Sequence, residues 1–458
     1  MENKLPKNWI ETDLDTVILR MTNGSSLKQE EEPFEGSLPI SRIETIWNET
    51  IDLDRVKYVD ASEEDIEKYG LQKGDVLFSH INSDKHLGKT AVFNLEETLI
   101  HGINLLLLRA MPQFNGDLLN YILRHYRFSG KFIEVAQRSV NQSSINQKKL
   151  KSFVVPLPPL AEQQRIVAKL DDLFGHLDNL KTRLNNIPQI LKNFRQAVLT
   201  QAVTGKLTEE WRVGKDLEEW KETTIGKLFT VKTGATPKRG NTSYYERGKI
   251  PWLKSGQVKN EYIYEAEEYI TDLAVKETNA KLYPKDTLLV AMYGEGKTRG
   301  QVGWMKLEAA SNQAIAALVN EEMDIKSKQY VYYYCLSQYL EIRKQAEGGN
   351  QPNLNLSKIK NWKISVPSIE EQTEIVKRVE HLFTKADTIE AQYQNLKTKI
   401  DSLPQAILAK AFKGELVAQL ESDGSAAVLL EEIQNIKASL RGTKQSVKGK
   451  RKKRTLNT

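Results

Sequence analysis

The chain has 458 residues and a net charge of +6, and that length exceeds the size at which one hydrophobic core keeps growing, so two or more domains are expected. A single cysteine, Cys335, excludes an internal disulfide and a cysteine-built zinc site. No apolar run approaches the roughly 20 residues that span a bilayer, and the first residues lack the apolar core of a secretory signal. We therefore expect a cytoplasmic protein.

Positive charge is concentrated at the end of the chain. After Leu440 there are eight Lys and Arg residues and no acid, so the remainder carries a formal net charge of −2. Because the body of the protein is not basic overall, any field that attracts nucleic acid must come from local patches.

The chain contains an internal repeat. From Asn141 to Leu207 it aligns without a gap to the residues 209 positions later, and the identities include Glu162 with Glu371 and Gln163 with Gln372. A repeat of this kind indicates a duplicated architecture. We divide the chain into a variable segment (1–156), a first repeat copy (157–210), a second variable segment (211–365), a second repeat copy (366–420) and a tail (421–458).

Each variable segment combines short apolar runs with one helical pattern. Turn residues separate the predicted strands, as is typical of a mixed sheet. Both segments are therefore predicted to be α+β domains. The predicted strands and helices, in chain order, are strands at Asp75–Phe78 and Leu105–Leu108, a helix at Asp117–His125, strands at Thr287–Val290 and Ala314–Val319, and a helix at Lys328–Lys344.

Each repeat copy predicts a long helix with apolar residues at alternating steps of four and three, which is the pattern of a coiled-coil seam. Two such helices in one chain most simply pair with each other as an antiparallel coiled coil, and a dimer between two chains is the alternative. From Ile166 to Val198 the seam would be about 48 Å long, a suitable size for a spacer between two DNA-reading domains. Pro188 and Pro404 are expected to kink their helices without breaking them. The seam residues are Ile166, Leu170, Leu173, Leu177, Leu180 and Leu184 in the first copy and Ile375, Val379, Leu382, Ile389, Tyr393 and Leu396 in the second.

Candidate DNA-binding residues carry cationic, amide or hydroxyl groups and lie on stretches that contain glycine or belong to the internal repeat. Basic patches lie between Asn120 and Ser152 and between Gly226 and Asn260. Lys and Arg can hold phosphates, and Arg, Asn and Gln can read base edges, although composition alone does not separate the two roles. The candidates are Lys89, Thr90, Asn141, Gln142 and Lys148 in the first half and Lys238, Arg239, Lys297, Thr298, Arg299, Asn350 and Gln351 in the second.

No catalytic centre is predicted. Residues 291–298 fit a relaxed phosphate-loop pattern, but Arg-Gly-Gln-Val-Gly follows Thr298 and is a poor start for the required helix. The histidines have no metal-ligand spacing, so His80 and His86 are expected at the surface and no metal is expected.

The doubled motif Pro-x-Leu/Ile-x-Glu-Gln-x-x-Ile-Val, at Pro158–Val167 and Pro367–Val376, resembles the specificity subunits of Type I restriction–modification systems. The stretches Gly74–Phe78, Ile250–Leu253 and Asn312–Ile315 are also similar to target-recognition domains of that family. The resemblance extends to about Leu420.

The resemblance implies that 1–156 and 211–365 are target-recognition domains, each reading half of a split, asymmetric site in double-stranded DNA. It implies that the helix pair sets the unread gap and docks two methyltransferase subunits, and that restriction–translocase subunits join the complex. S-adenosylmethionine, ATP and magnesium are expected on those partners and no cofactor on this chain. A structural coiled-coil protein without a DNA role is the alternative. The tail departs from the family, and we expect a short helix followed by a disordered basic segment with weak phosphate attraction at most.

Overall fold

The computed structural model describes residues 5–139, 142–294, 297–347 and 354–454. The chain forms two compact units: unit 1 contains Met1–Arg183 and Leu396–Thr458, and unit 2 contains Leu184–Asn395. Each unit therefore includes one variable segment and portions of both long helices.

The first part of the chain alternates short strands and helices before the first long helix. Its elements are β1 (Ile10–Asp13), α1 (Leu14–Val17), β2 (Ile18–Asn23), β3 (Leu38–Ile40), β4 (Ile46–Trp47), β5 (Thr50–Ile51), β6 (Lys57–Val59), α2 (Glu63–Tyr69), β7 (Asp75–Phe78), β8 (Ile81–Asn82), β9 (Thr90–Phe93), β10 (Leu106–Ala110), α3 (Gly116–Phe128), α4 (Lys131–Val135), β11 (Gln137–Ser139), β12 (Gln142–Ser144), α5 (Gln147–Lys151), β13 (Val154–Leu157) and α6 (Leu160–Asn185).

The second part follows the same plan and ends in two further helices. Its elements are α7 (Ile187–Val203), α8 (Glu209–Arg212), β14 (Lys221–Thr224), α9 (Ile225–Leu228), β15 (Thr230–Thr233), β16 (Ile250–Leu253), β17 (Glu261–Ile263), β18 (Glu268–Ile270), α10 (Asp272–Glu277), β19 (Leu282–Tyr283), β20 (Leu288–Ala291), β21 (Val302–Met305), β22 (Ala309–Ser311), β23 (Ile315–Val319), α11 (Ile325–Glu347), α12 (Leu356–Lys360), β24 (Lys363–Val366), α13 (Ile369–Phe412) and α14 (Ala426–Arg454).

The main sheets of the two units have matching strand orders. The sheet of unit 1 has the order β2-β10-β7-β9, and that of unit 2 has the order β15-β23-β20-β21 with β17 added at one edge. The strands of the matching part pair antiparallel in both units. All four residues of β7 and of β20 are buried, because a helix covers the face of the sheet that would otherwise be exposed. The α+β class and the internal repeat are confirmed.

The long helices pair antiparallel in unit 2. Val198 and Ala202 of α7 share a hydrophobic core with Ile375 and Val379 near the start of α13. Earlier in α7, Arg195 forms ion pairs with residues further along α13, at 2.7 Å to Asp387 and 2.8 Å to Glu390. Because positions fall on one helix as they rise on the other, the two run in opposite directions.

The two prolines have different effects: a kink without a break is expected at both, and at Pro188 the helix is interrupted at Asn186 alone. The helical hydrogen bonding stops at Asn185 and resumes at Ile187, because a proline cannot donate the backbone bond of the next turn. Asn186 nevertheless keeps helical dihedrals, with φ −82° and ψ −18°. Pro404 lies inside the continuous helix α13, as expected.

The seam is buried only in part. Ile166, Leu170, Leu177, Leu184, Ile375, Val379 and Tyr393 are buried, and Leu173 and Leu382 are half-buried. Three predicted seam residues are instead exposed: Leu180 at 46%, Ile389 at 47% and Leu396 at 47%. The difference has a physical reason. The seam residues alternate between two rows, one that stays buried, as at Leu177, and one that includes the three exposed residues. Near the helix starts a third helix covers the second row, as the stacking of Tyr121 on Phe174 and the contact of Tyr333 with Phe383 show. Farther along only the first row is covered.

The repeated glutamates fix the start of each long helix. In unit 1, Glu162 is buried and accepts hydrogen bonds from the indole of Trp9 at 2.9 Å and from Gln419 at 2.5 Å. In unit 2, Glu371 accepts from Trp220 at 2.9 Å and from Thr208 at 2.7 Å. Each carboxylate thus joins the beginning of a variable segment, the start of one long helix and the segment that follows the other.

The glutamines of the motif form hydrogen bonds at the same two helix starts. The Gln163 amide donates to the carbonyl of Pro158 at 3.0 Å, and the Gln372 amide donates to that of Pro367 at 2.8 Å. These bonds satisfy carbonyls that precede the helices and would otherwise be buried without partners. The doubled Glu-Gln motif is therefore structural in both units.

The tail carries a longer helix than the short one predicted. α14 packs its first turns on unit 1 through Ala426, Leu429 and Ile433, all buried. The Lys437 ammonium donates to the backbone carbonyls of Asp15 and Ile18, so the helix is fixed against α1.

We predict that Glu371→Gln lowers the free energy of unfolding by about 2 kcal/mol, because a neutral amide leaves a buried indole or hydroxyl without its charged acceptor. The neighbouring Glu370→Gln is the matched control. Its carboxylate is 62% exposed and pairs with Lys215 at the surface, so a change below about 0.5 kcal/mol is expected. Urea unfolding followed by tryptophan fluorescence measures both, and equal losses would contradict the structural role of Glu371.

Candidate nucleic-acid interface

In unit 1, strand ends and loops that carry polar side chains meet at one edge of the main sheet. The pairing registers bring together the end of β2 at Asn23, the start of β10 at Leu106, the end of β7 at Phe78 and the start of β9 at Thr90. The loop that joins β7 to β9 leaves from this edge and contains Lys89. We call this the first edge.

Cations gather on that loop. The Arg127 guanidinium donates to Glu49 at 2.5 Å and to the backbone carbonyl of Lys85 at 3.4 Å, so it fixes the loop to helix α3. Lys89 is half-buried, and burial, together with the positive charge of Arg127, lowers the pKa of its ammonium. The pKa of His86 is lowered by burial and by Lys89. Lys89 and Arg127 therefore place positive charge at this loop, and Glu49 and Asp84 offset it in part.

A polar hairpin extends the same edge. β12 pairs with β11 and with β8, which follows β7 directly. Gln142 and Arg138 are exposed on it, and Arg138 lies 3.7 Å from Asp84 of the loop. Exposed amide and guanidinium groups on a strand pair can donate to base edges.

Lys148 lies next to the first edge. It is exposed on α5, and the neighbouring Gln147 donates to Asn23, the last residue of β2, at 2.5 Å. The structure thus brings Lys89, Gln142 and Lys148 to one side of unit 1.

Thr90 was wrong as a candidate. It is the first residue of β9, its side chain is fully buried, and it pairs with Phe78 inside the sheet. A nucleic acid cannot reach it. The loop ends at Lys89 and strand β9 begins at Thr90, so only the lysine of this pair lies on the loop.

Unit 2 has the equivalent edge, with different side chains. The registers bring together the end of β15, the start of β23, the end of β20 and the start of β21. The Thr236 hydroxyl donates to Gln313 at 2.6 Å, and the amide of Met292 donates to the carbonyl of Ala314 at 2.8 Å, so the three loops touch. We call this the second edge.

The second-half candidates lie on two loops of the second edge. Lys238 and Arg239 are exposed between β15 and β16. Lys297, Thr298 and Arg299 lie between β20 and β21, where Lys297 is exposed and the other two are half-buried. Asn141, Asn350 and Gln351 lie outside the described residues.

Several polar residues at these edges are not among the candidates predicted from the sequence. At the first edge the Arg127 guanidinium donates to the backbone carbonyl of Lys85. At the second edge Gln313 accepts from Thr236, and Lys254 shares the carboxylate of Glu268 with Arg239. Arg127 lay in a basic patch, and Gln313 lay in the Asn312–Ile315 stretch, which were the available signals.

His80 was wrongly expected at the surface. It is 6% exposed, and burial lowers its pKa to about 4, so the ring is neutral at physiological pH. Its backbone carbonyl accepts the amide of Ile145, which ties the loop to the hairpin. Its role is therefore in packing.

The enzyme-type patterns gain no support from the geometry. Thr298 is followed by a turn and by strand β21, whereas a phosphate loop requires a helix at that place. Among the described residues there is no cluster of metal-ligating side chains. Within the same residues, none of the helices is long and apolar enough to cross a membrane.

The sequence profile of the Type I restriction modification DNA specificity domain matches residues 6–189 and 217–398. The chain belongs to this family. The two matches correspond to the two halves of the repeat, so each half includes one of the polar edges.

Two specificity subunits illustrate the similarity. The chain is 30% identical over 469 residues to the StySPI specificity subunit of a type I restriction enzyme from Salmonella potsdam, covering 97% of this chain and 99% of that protein. It is 34% identical over 342 residues to the EcoBI specificity subunit from Escherichia coli, covering 68% and 70%.

Solved structures share the fold. The HsdS subunit of Thermoanaerobacter tengcongensis matches with a TM-score of 0.60 at 18% identity, covering 90% of this chain and 98% of that one. A chain from a structural study of assembly and conformational transition of the type I R-M system matches with a TM-score of 0.65 at 19% identity, covering 90% and 99%. At these identities the likeness concerns architecture alone.

For this family member we predict that substitutions at two neighbouring positions affect different properties, stability at one and DNA affinity at the other. Thr90→Val should leave DNA affinity unchanged and raise the free energy of unfolding by about 1 kcal/mol, since the buried hydroxyl has no hydrogen-bond partner among the described residues. Lys89→Ala should weaken DNA binding. Fluorescence anisotropy with a labelled duplex and thermal unfolding measure the two effects, and weaker binding by Thr90→Val would show that the assignment of the first edge is wrong.

Proposed function

We propose that the chain is the DNA-reading subunit of a Type I restriction–modification complex and has no catalytic activity of its own. Each unit reads one half of a bipartite, asymmetric site in double-stranded DNA. The observation that carries the proposal is the presence of equivalent sheet edges in both units, each with clustered cations and amides but with different side chains. An asymmetric site has two different half-sites, so it requires the same fold to present different side chains in the two units.

The long helices support a second part of the proposal, the docking of two methyltransferase subunits. In unit 1, Leu180 and Leu403 are exposed on the helices, and in unit 2 Phe194 and Ile389 are exposed. Exposed apolar rows on a helix surface are typical of protein interfaces. Restriction–translocase subunits would join through the same complex, and S-adenosylmethionine, ATP and magnesium would be held by the partners.

Exchange of one variable segment tests the reading of half-sites. A chimera in which residues 1–156 come from another family member should methylate a site with one altered half and one unchanged half. The reason is that the first edge lies wholly within unit 1 and the second edge within unit 2. Methylome sequencing of a strain that expresses the chimera with matched methyltransferase subunits gives the readout.

The reciprocal chimera, with residues 211–365 exchanged, is the matched control and should alter the other half alone. If either chimera alters both halves, the division of the reading function between the units is refuted. If the native chain supports no methylation and no footprint with its methyltransferase, the alternative of a structural coiled-coil protein gains support.

A further inference from the structure

Arg239 on the second edge is held in a fixed orientation by a carboxylate and two aromatic rings. Its guanidinium donates to Glu268 at 2.6 Å and lies 4.7 Å from the centre of the Tyr245 ring and 5.0 Å from that of Trp252. The side chain is still 53% exposed. An arginine held in this way loses little further conformational freedom when it binds a ligand.

The loop that carries Arg239 is itself pinned at several points. The Trp252 indole donates to the carbonyl of Ala235 at 3.0 Å, and the Tyr245 hydroxyl donates to that of Pro237 at 2.5 Å. A turn closes with the amide of Asn241 donating to the carbonyl of Lys238 at 3.0 Å. The same two aromatic residues therefore fix both the backbone of the loop and the guanidinium.

The charge balance distinguishes Arg239 from a simple phosphate contact. Glu268 also accepts from Lys254 at 2.6 Å, and hydrogen bonds from Arg239 and Lys254 lower the pKa of its carboxyl, which keeps it ionised. A carboxylate this close offsets much of the attraction of the guanidinium for a phosphate. It does not remove the directional donors, because only one of the five N–H groups of an arginine is needed to reach Glu268.

Lys238 provides the contrast on the same loop. It is exposed, and in the described part of the chain no ion pair of 4 Å or less holds its ammonium. Such a flexible point charge suits phosphates, whereas a planar guanidinium in a fixed orientation suits paired acceptors such as O6 and N7 of guanine.

We infer that Arg239 reads a guanine base in the half-site recognised by unit 2, with Glu268, Tyr245 and Trp252 as its positioning residues. This inference rests on the proposed function and deepens it, because it assigns a base and a residue to the second edge. Lys238 holds the DNA backbone beside it.

The test uses the complete complex of this chain with its methyltransferase subunits. Duplexes in which each base pair of the half-site is replaced in turn are compared by competition binding. The native complex should prefer one G·C pair by roughly 5- to 150-fold, the discrimination of a good bidentate contact. Arg239→Ala should remove that preference and Arg239→Lys should reduce it, and both should leave the preferences at all other positions intact. Lys238→Ala, the matched control, should weaken binding to all sequences alike and lower its salt dependence.

A 7-deazaguanine at the preferred position adds a second, independent measurement. It lacks the N7 acceptor, so it should weaken binding of the native complex and have no further effect on Arg239→Ala. Preserved discrimination by the first half-site shows that each variant is folded.

The results separate the inference from the proposed function. A unit 2 half-site without guanine on either strand, or an equal loss of affinity for all sequences in Arg239→Lys, overturns the assignment of Arg239 while the function stands. A native complex without sequence preference overturns both.

Discussion

The structure depends on a buried glutamate carboxylate that occurs once in each repeat copy. Glu162 and Glu371 each accept hydrogen bonds from a tryptophan at the beginning of a variable segment and from the chain that follows the other long helix. A buried charge is tolerated only when its acceptor sites are filled, so the two segments and the helix start must assemble together. This requirement fixes where each domain begins relative to its helix, and it explains why the repeat keeps its Glu-Gln pair while the surrounding sequence differs.

The two units share this architecture but carry different side chains at the equivalent edge of the main sheet. The first edge carries Lys89 and a polar hairpin, and Glu49 offsets its positive charge in part. The second edge carries an arginine fixed between aromatic rings and Glu268. Loops at the end of a rigid sheet can change their side chains without loss of the core, since the central strands beneath them, β7 and β20, are fully buried. A single duplicated fold can therefore present different side chains at its two edges.

The sequence predicted the architecture well and the site only in part. The repeat, the strands at Asp75–Phe78 and near Thr287–Val290, and the helices that became α3 and α11 follow from local patterns of period two and 3.6. Whether Leu180 is covered depends on a third helix, and the burial of Thr90 and His80 depends on strand pairing, so neither is a local property. Arg239 was a candidate from composition, but its orientation by Glu268 comes from strand β18, beyond the reach of any local pattern.

We propose that each unit of this one polypeptide reads DNA and that the length of the long helices sets the unread gap. The most direct measurement is the methylation site of a variant with seven residues inserted in register after Arg183 and another seven after Asn395. Seven residues lengthen a helix by about 10 Å, or roughly three base pairs of B-DNA. We expect both half-sites to be unchanged and the unread gap to be longer by about three base pairs. An active variant with an unaltered gap would contradict this proposal.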